Sequence, residues 1–308
     1  EKMQQCLLAL NQNFSLKKSK LDIYNTGLIG TNNSSITTIQ DYDSSMVKSK
    51  LLTTHPNFSA IFVELFYEAE IQSGDTIAVS MTGSFPGANI ALLSVCETMN
   101  ITPIIISSAG SSSWGANREE LSWPIIENFL YSQKILNKKS VAYSMGGDND
   151  NGDNLTDKGI EIIERSIPDD VIFVNEPTLT KNIETKISIF ESYSSNYSLY
   201  INIGGGSSSL GGGMEKDTLK VGLLSYLDVE DIDNLQSELD VIISSGPSWL
   251  ALNGLDLVGT PGNNDAGTSN ILLNLTDGDI ITSSSFSLYT NSPCRPGSKV
   301  FNSAKFQS

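Results

Sequence analysis

The sequence has little of what the commonest catalytic motifs need. It holds a single histidine, His55, which precedes a helix-like stretch and suits a surface or capping position better than a general base. A Ser-His-Asp mechanism is therefore not expected. Three cysteines, Cys6, Cys96 and Cys294, have no spacing that resembles a zinc site. Cys96 lies in the apolar stretch 90–99, where a small buried thiol is expected. Cys6 and Cys294 lie near opposite ends of the chain and are the one pair that a disulfide could join, because domain termini are often close in space.

Long apolar runs are also missing. Nothing approaches the ~20 residues that span a bilayer, and residues 1–10 are too short and polar for a signal peptide. The chain as given reads as soluble; lacking an initial Met, it is expected to be processed, with room for an anchor ahead of residue 1. Basic residues are scarce, 19 Lys and Arg against 35 Asp and Glu, for a net charge of −16. Such a surface repels phosphates, which excludes nucleic acid as a partner. No Walker A sequence and no strict Gly-x-Gly-x-x-Gly occurs, so no nucleotide or other cofactor is expected.

What is present is alternation. Asp75–Met81 and Pro103–Ser107 are short β-branched runs of strand length, and Gly87–Met99 between them has helical length with Ile90, Leu93 and Val95 apolar. The pattern recurs with strands at 140–145, 171–175, 198–203 and 240–244 and helices at 156–166 and 180–193. Residues 55–70 form an amphipathic helix pattern with Phe58, Ile61, Phe62, Leu65 and Phe66 inward. This predicts an α/β fold, a mostly parallel doubly wound sheet with helices on both faces. Residues 1–50 are expected to wrap its surface, residues 51–262 to form the α/β domain, and residues 263–308, rich in Ser, Thr and Asn, to add a short β-rich extension with a hairpin turn at Asp277-Gly278.

A parallel sheet places five loops on one edge, 82–86, 107–117, 146–154, 204–213 and 246–248, where open α/β sheets bind ligands. Gly83 and Ser84 precede a helix and offer amides and a hydroxyl to an anion. Ser84 is the one candidate nucleophile, although Thr82 and Pro86 stand where a nucleophile elbow needs Gly. Ser107, Ser108, Trp114, Asn117 and Arg118 form the second loop, in which Arg118 suits a carboxylate ligand. Gly204, Gly205 and Gly206 suit an anion-binding nest. Asp148, Asp150 and Asp153 are the carboxylates a cation would use, but the loop does not fit an EF-hand and reads foremost as a solvated acidic turn, with no metal expected. Asn-x-Ser/Thr triplets at Asn13, Asn32, Asn33, Asn57, Asn100, Asn154, Asn196 and Asn274 exceed the roughly five that composition alone supplies, a hint of glycosylation in a secreted protein.

The series Asn25-Thr26-Gly27-Leu28-Ile29-Gly30, His55-Pro56-Asn57-Phe58, Gly83-Ser84-Phe85-Pro86, Ser107-Ser108 with Ser113-Trp114-Gly115-Ala116-Asn117, and Asn202-Ile203-Gly204-Gly205-Gly206 with Ser209-Leu210-Gly211 resembles the bacterial poly-γ-glutamate system protein family. The resemblance spans about residues 20–212, continues more loosely through 249–262, and is lost after Gly262. It implies an extracytoplasmic, membrane-anchored accessory component of poly-γ-glutamate (capsular polymer) biosynthesis or export, working with membrane proteins of that complex and without assigned catalytic residues; any membrane attachment would lie outside this chain. Two alternatives stay open. One is a hydrolase or transferase acting on γ-glutamyl amides through Ser84 or an acidic-loop carboxylate. The other is a secreted, glycosylated structural protein that assembles with copies of itself.

Overall fold

A computed structural model describes residues 1–14, 19–210, 223–224, 240–245, 247–253, 256–259, 267–276, 281–290 and 304–305. The chain divides into two units, Glu1–Met214 and Glu215–Ser308, so the second unit begins earlier in the chain than the extension expected from residue 263. In chain order the first unit runs α1 (Lys2–Phe14), α2 (Val47–Thr53), α3 (Ser59–Glu68), β1 (Thr76–Thr82), α4 (Pro86–Met99), β2 (Thr102–Ser108), the hairpin strands β3 (Asn117–Arg118) and β4 (Leu121–Ser122), α5 (Trp123–Ser132), β5 (Ala142–Ser144), α6 (Asp157–Ser166), β6 (Ile172–Val174), α7 (Leu179–Tyr193) and β7 (Leu199–Ile203).

Five of these strands form one sheet in the order β6-β5-β2-β1-β7, with every neighbouring pair parallel. The central strands β1 and β2 are buried on both faces along all but their first residue, as parallel strands between helices must be. Three crossovers carry the chain outward from β1 to β6, and α7 returns it to the other side of β1. Strand order therefore reverses between β1 and β7. The pleat divides the core: Val79, Ile105 and Tyr143 join the larger cluster with α1, α3, α4 and α5, while Ile106, Ala142 and Val174 meet Ile189 of α7. Helices thus cover both faces.

Helix α4 starts with Pro86 in its first turn and ends at Asn100 in the left-handed region, the arrangement that satisfies both helix ends with least strain. Residues 86–96 of it are all buried, because the sheet lies on one side and α1, α2 and α3 on the other. Gly87 allows the end of α2 to sit on its first turn; a Cβ there would lie 2.6 Å from the Thr53 carbonyl oxygen. The amphipathic pattern at 55–70 forms a short 3-10 turn, Pro56–Phe58, and then α3. Phe62 and Phe66 face inward as expected, but Ile61 is exposed. His55 Nδ1 accepts from the Asn57 amide and caps the turn.

The first fifty residues are more than a surface wrap. Helix α1 buries Met3, Cys6, Leu7 and Leu10, and Leu28, Ile29 and Ile36 are also in the core. Cys6 is a fully buried thiol against Ser94 of α4; Cys294, the other half of the end-to-end pair, lies outside the described residues. Cys96 is free and buried as expected. Burial pushes both thiols up, Cys6 to about 11 and Cys96 to about 12.

In the second unit, β8 (Asp240–Ser245), β9 (Leu250–Asn253), β10 (Asp256–Gly259), β11 (Gly267–Thr276), β12 (Ile281–Thr290) and β13 (Ala304–Lys305) form two antiparallel sheets, β12-β11-β8 and β13-β10-β9. The β11–β12 ladder runs from Gly267↔Thr290 to Thr276↔Ile281 and accords with the hairpin-like extension; its expected Asp277-Gly278 turn lies outside the described residues. Strand β8 corrects an expectation. It pairs antiparallel with β11 instead of extending the parallel sheet, so the loop at 246–248 does not follow a strand of that sheet.

Candidate functional site

At the C-terminal edge of the parallel sheet, the turn after β1 meets the loop after β2. The Ala116 amide donates to the Gly83 carbonyl at 2.8 Å, and the Ser112 amide donates to Ser84 Oγ at 3.0 Å. A side chain at Gly115 would lie 2.6 Å from the Ser84 carbonyl, so only glycine permits this approach. The N-terminal segment clamps the loop from outside. Backbone bonds join Gly30 to Trp114, Trp114 to Thr31, Thr38 to Ser111 and Ser113 to Ile39. Asn117, fully buried, accepts from the Thr31 amide and donates to the Thr31 carbonyl and Thr37 Oγ1.

Under this loop lies Lys50 of α2, 2 % exposed. Its ammonium nitrogen contacts Ser112 Oγ at 2.7 Å, the Ser112 carbonyl at 3.3 Å and the Ser113 carbonyl, and it sits 5.4 Å from the centre of the Phe85 ring. None of these partners is an anion. Burial lowers the Lys50 pKa to about 7, opposed only by the field of Asp41, because a charge removed from water without a carboxylate beside it favours the neutral amine. Asp41 itself accepts from the Met46 and Asp43 amides ahead of α2.

A second buried cluster lies on the α7 face. Asp150, in the left-handed region at φ 61°, accepts from Ser108 Oγ at 3.0 Å, Ser144 Oγ at 2.8 Å and Ser208 Oγ at 2.8 Å. Lys186 of α7 pairs with it at 2.5 Å and donates to Ser208 Oγ at 2.8 Å. A third lies on the α5 face. Glu127 accepts from the Ser140 amide and hydroxyl and from Tyr143, Ser107 Oγ bonds Ser140 Oγ at 2.7 Å, and the Trp123 indole donates to Ser107 Oγ at 3.2 Å. Burial raises the Glu127 carboxyl above the usual range despite these donors.

The candidates from the sequence therefore part company. Gly83, Ser84 and the 111–117 loop come together, and Gly204 abuts Thr82 at the strand-order reversal, where a Cβ would lie 2.2 Å from Thr82 Oγ1. Ser107 and Ser108 cannot share one site: neighbours on a strand face opposite sides, and each belongs to a different buried network. Asn117 secures the loop from within it. Arg118 is half-buried and donates to the Gly27 carbonyl, turned to the N-terminal segment; burial lowers its pKa, with Glu120 and Asp22 opposing. Trp114 is half-buried at φ 66° with its indole N–H unpaired. Gly205 and Gly206 precede the turn that delivers Ser208.

The acidic turn corrects the sequence reading at Asp150, which is 1 % exposed and ion-paired, while Asp148 and Asp153 are exposed. No group of three metal-ligating His, Cys, Asp or Glu occurs among the described residues. The sequence alone does not single out Lys50, Ser112, Lys186, Ser208 or Glu127. For Lys50 a signal existed: Val47, Lys50 and Thr53 are the buried positions of α2, spaced three apart, so a lysine occupies the inward stripe. A hollow of about 480 Å³ between α1, α5 and α6 is lined by Phe14, Phe129 and Arg165 among others and includes none of the candidates. No described helix is long and apolar enough to cross a membrane. Comparison with known proteins finds no matching family model, no matching curated protein and no matching solved structure.

Proposed function

We propose that this chain is an extracytoplasmic component of poly-γ-glutamate synthesis or export, acting beside membrane proteins of that machinery. One observation supports the reading: segments that resemble that family adjoin one another in space. The 25–30 segment reaches the 113–117 loop through the Gly30–Trp114 bond, that loop reaches the 83–86 turn through Ala116 and Gly83, and Gly204 closes on Thr82. Such packing accounts for Gly and Ser at these positions together, as parts of one edge.

The test is deletion of the coding gene in a polymer-producing strain. Exported poly-γ-glutamate should fall and be restored by the intact gene; unchanged polymer yield and chain length would sink the reading. The same edge supports a second reading, an enzyme acting on γ-glutamyl amides, because a buried amine rests on a serine hydroxyl there.

A further inference from the structure

We infer that Ser112 is an acyl-accepting nucleophile and Lys50 its general base, forming a catalytic pair for ester or amide carbonyls; only the identity of the acyl group, γ-glutamyl, rests on the second reading above. The pair stands on geometry. A neutral lysine amine has two N–H bonds and one lone pair. At Lys50 two carbonyls, of Ser112 and Ser113, are placed to accept the two N–H bonds, which leaves the lone pair for the Ser112 hydroxyl at 2.7 Å. A lysine that merely pinned the loop would be served better by a carboxylate, as Lys186 is by Asp150.

Burial favours the neutral form, and little charge stands against it. The turn after β1 and the 111–114 loop contribute no ionisable side chain, and from the segment before α2 only Asp41 acts on Lys50, holding its pKa above where burial alone would set it. The Phe85 ring also favours the ammonium. Exposure is graded: Lys50 keeps 2 % of its surface and Ser112 8 %, while Ser84 is half-buried. Ser84 is thus the member of the trio most open to solvent. Ser84 Oγ accepts from the Ser112 amide, which leaves its own proton to donate to an oxyanion beside Ser112.

The step balances without another reagent. Lys50 takes the Ser112 proton as Oγ bonds the carbonyl carbon. The ammonium then returns that proton to the leaving amine or alkoxide as its bond to carbon breaks, leaving an ester on Ser112. Water, giving its proton to Lys50, attacks that ester; the Oγ–carbon bond breaks, Ser112 regains a proton and a free acid departs. An amine in place of water gives transfer.

The experiment treats the full chain with a fluorophosphonate, maps the label by mass spectrometry, and follows p-nitrophenyl acetate hydrolysis against pH. Label on Ser112 is expected, with a rate that rises through a half-point near pH 7. Ser112→Ala and Lys50→Met should each lower the rate at least about 100-fold, and Lys50→Arg, which keeps the donors but cannot lose its proton, should not rescue it. Ser84→Ala should cost about 10- to 100-fold. Label on Ser84 or Lys50, no label, a flat pH profile, or an undiminished rate in Ser112→Ala would each overturn the pair. If the Lys50 variants lose their circular dichroism, the wild-type profile, label position and Ser112→Ala still decide. γ-Glutamyl p-nitroanilide separates the two ideas. Ser112 labelling without its turnover upholds the pair and sinks the γ-glutamyl reading, whereas turnover indifferent to Ser112→Ala does the reverse.

Discussion

Lys50 and Lys186 are both buried and both bonded to a serine hydroxyl, yet their surroundings differ in kind. Lys186 has a carboxylate at 2.5 Å, which itself accepts from three serines. Lys50 has two carbonyls, a hydroxyl and an aromatic ring. A buried cation with a carboxylate in contact is held by mutual need: remove either and the other is stranded. A buried cation with only dipoles can shed its proton and keep its place. The first arrangement builds structure and the second is the one suited to proton transfer.

Lys186→Met tests the structural half of this contrast and carries the largest expected effect. It leaves the Asp150 carboxylate buried without its counter-charge and should cost about 3–5 kcal/mol in urea unfolding. Adding Asp150→Asn should recover much of that loss; no recovery would mean that Lys186 acts through packing and not through its charge.

Lys50 should behave differently. Its folded pKa lies below the unfolded value of 10.5, so its contribution to stability is present above that value and lost as pH falls toward about 7. Between these limits stability should rise with pH by up to ~1.4 kcal/mol per unit from this one proton. Lys50→Met should remove that slope, which denaturation midpoints across alkaline pH would report, and an unchanged slope would erase the contrast.

Glu127 offers the mirror case. Its carboxyl is raised by burial, so its contribution is present below the ordinary carboxylate pKa and lost as pH rises through the folded value. Glu127→Gln should flatten that decline, visible in thermal midpoints as pH rises above the ordinary carboxylate range, with little change below it.

Most of the sheet was legible because its information is local. Short β-branched runs such as 77–79 and 104–106, bounded by Gly, Ser and Pro, leave few alternatives to buried parallel strands. Thr156 at 156–166 announces a helix start, and its hydroxyl does accept from the Gly159 amide. The site was legible only as loops. Lys48 and Lys50 look alike in sequence, and their difference lies in which side of α2 faces α4. Ser112 is one of three consecutive serines, distinguished only by what packs beneath it. Ser107 and Ser108 looked like one feature, but the strand pleat sends them to opposite faces. Helix α1 is faint in the sequence because four inward residues in a polar stretch make a weak signal. Strand β8 leaves the expected parallel sheet, and its sequence cannot announce that, because a lone apolar run does not say what it pairs with.

The clamp of residues 30–41 on the 111–117 loop also has a kinetic consequence. Its bonds join positions some eighty residues apart, as in Thr31 and Asn117, and closing so long a loop is entropically costly before any reward arrives. During synthesis the N-terminal arm must wait, unpaired, until α2, α3, β1, α4 and β2 have all emerged. The Ser112 turn is therefore organised only after β1 and β2, and it should open before them: amide exchange at Gly30, Thr31 and Ser113 should outpace exchange within β1 and β2 while the sheet remains intact.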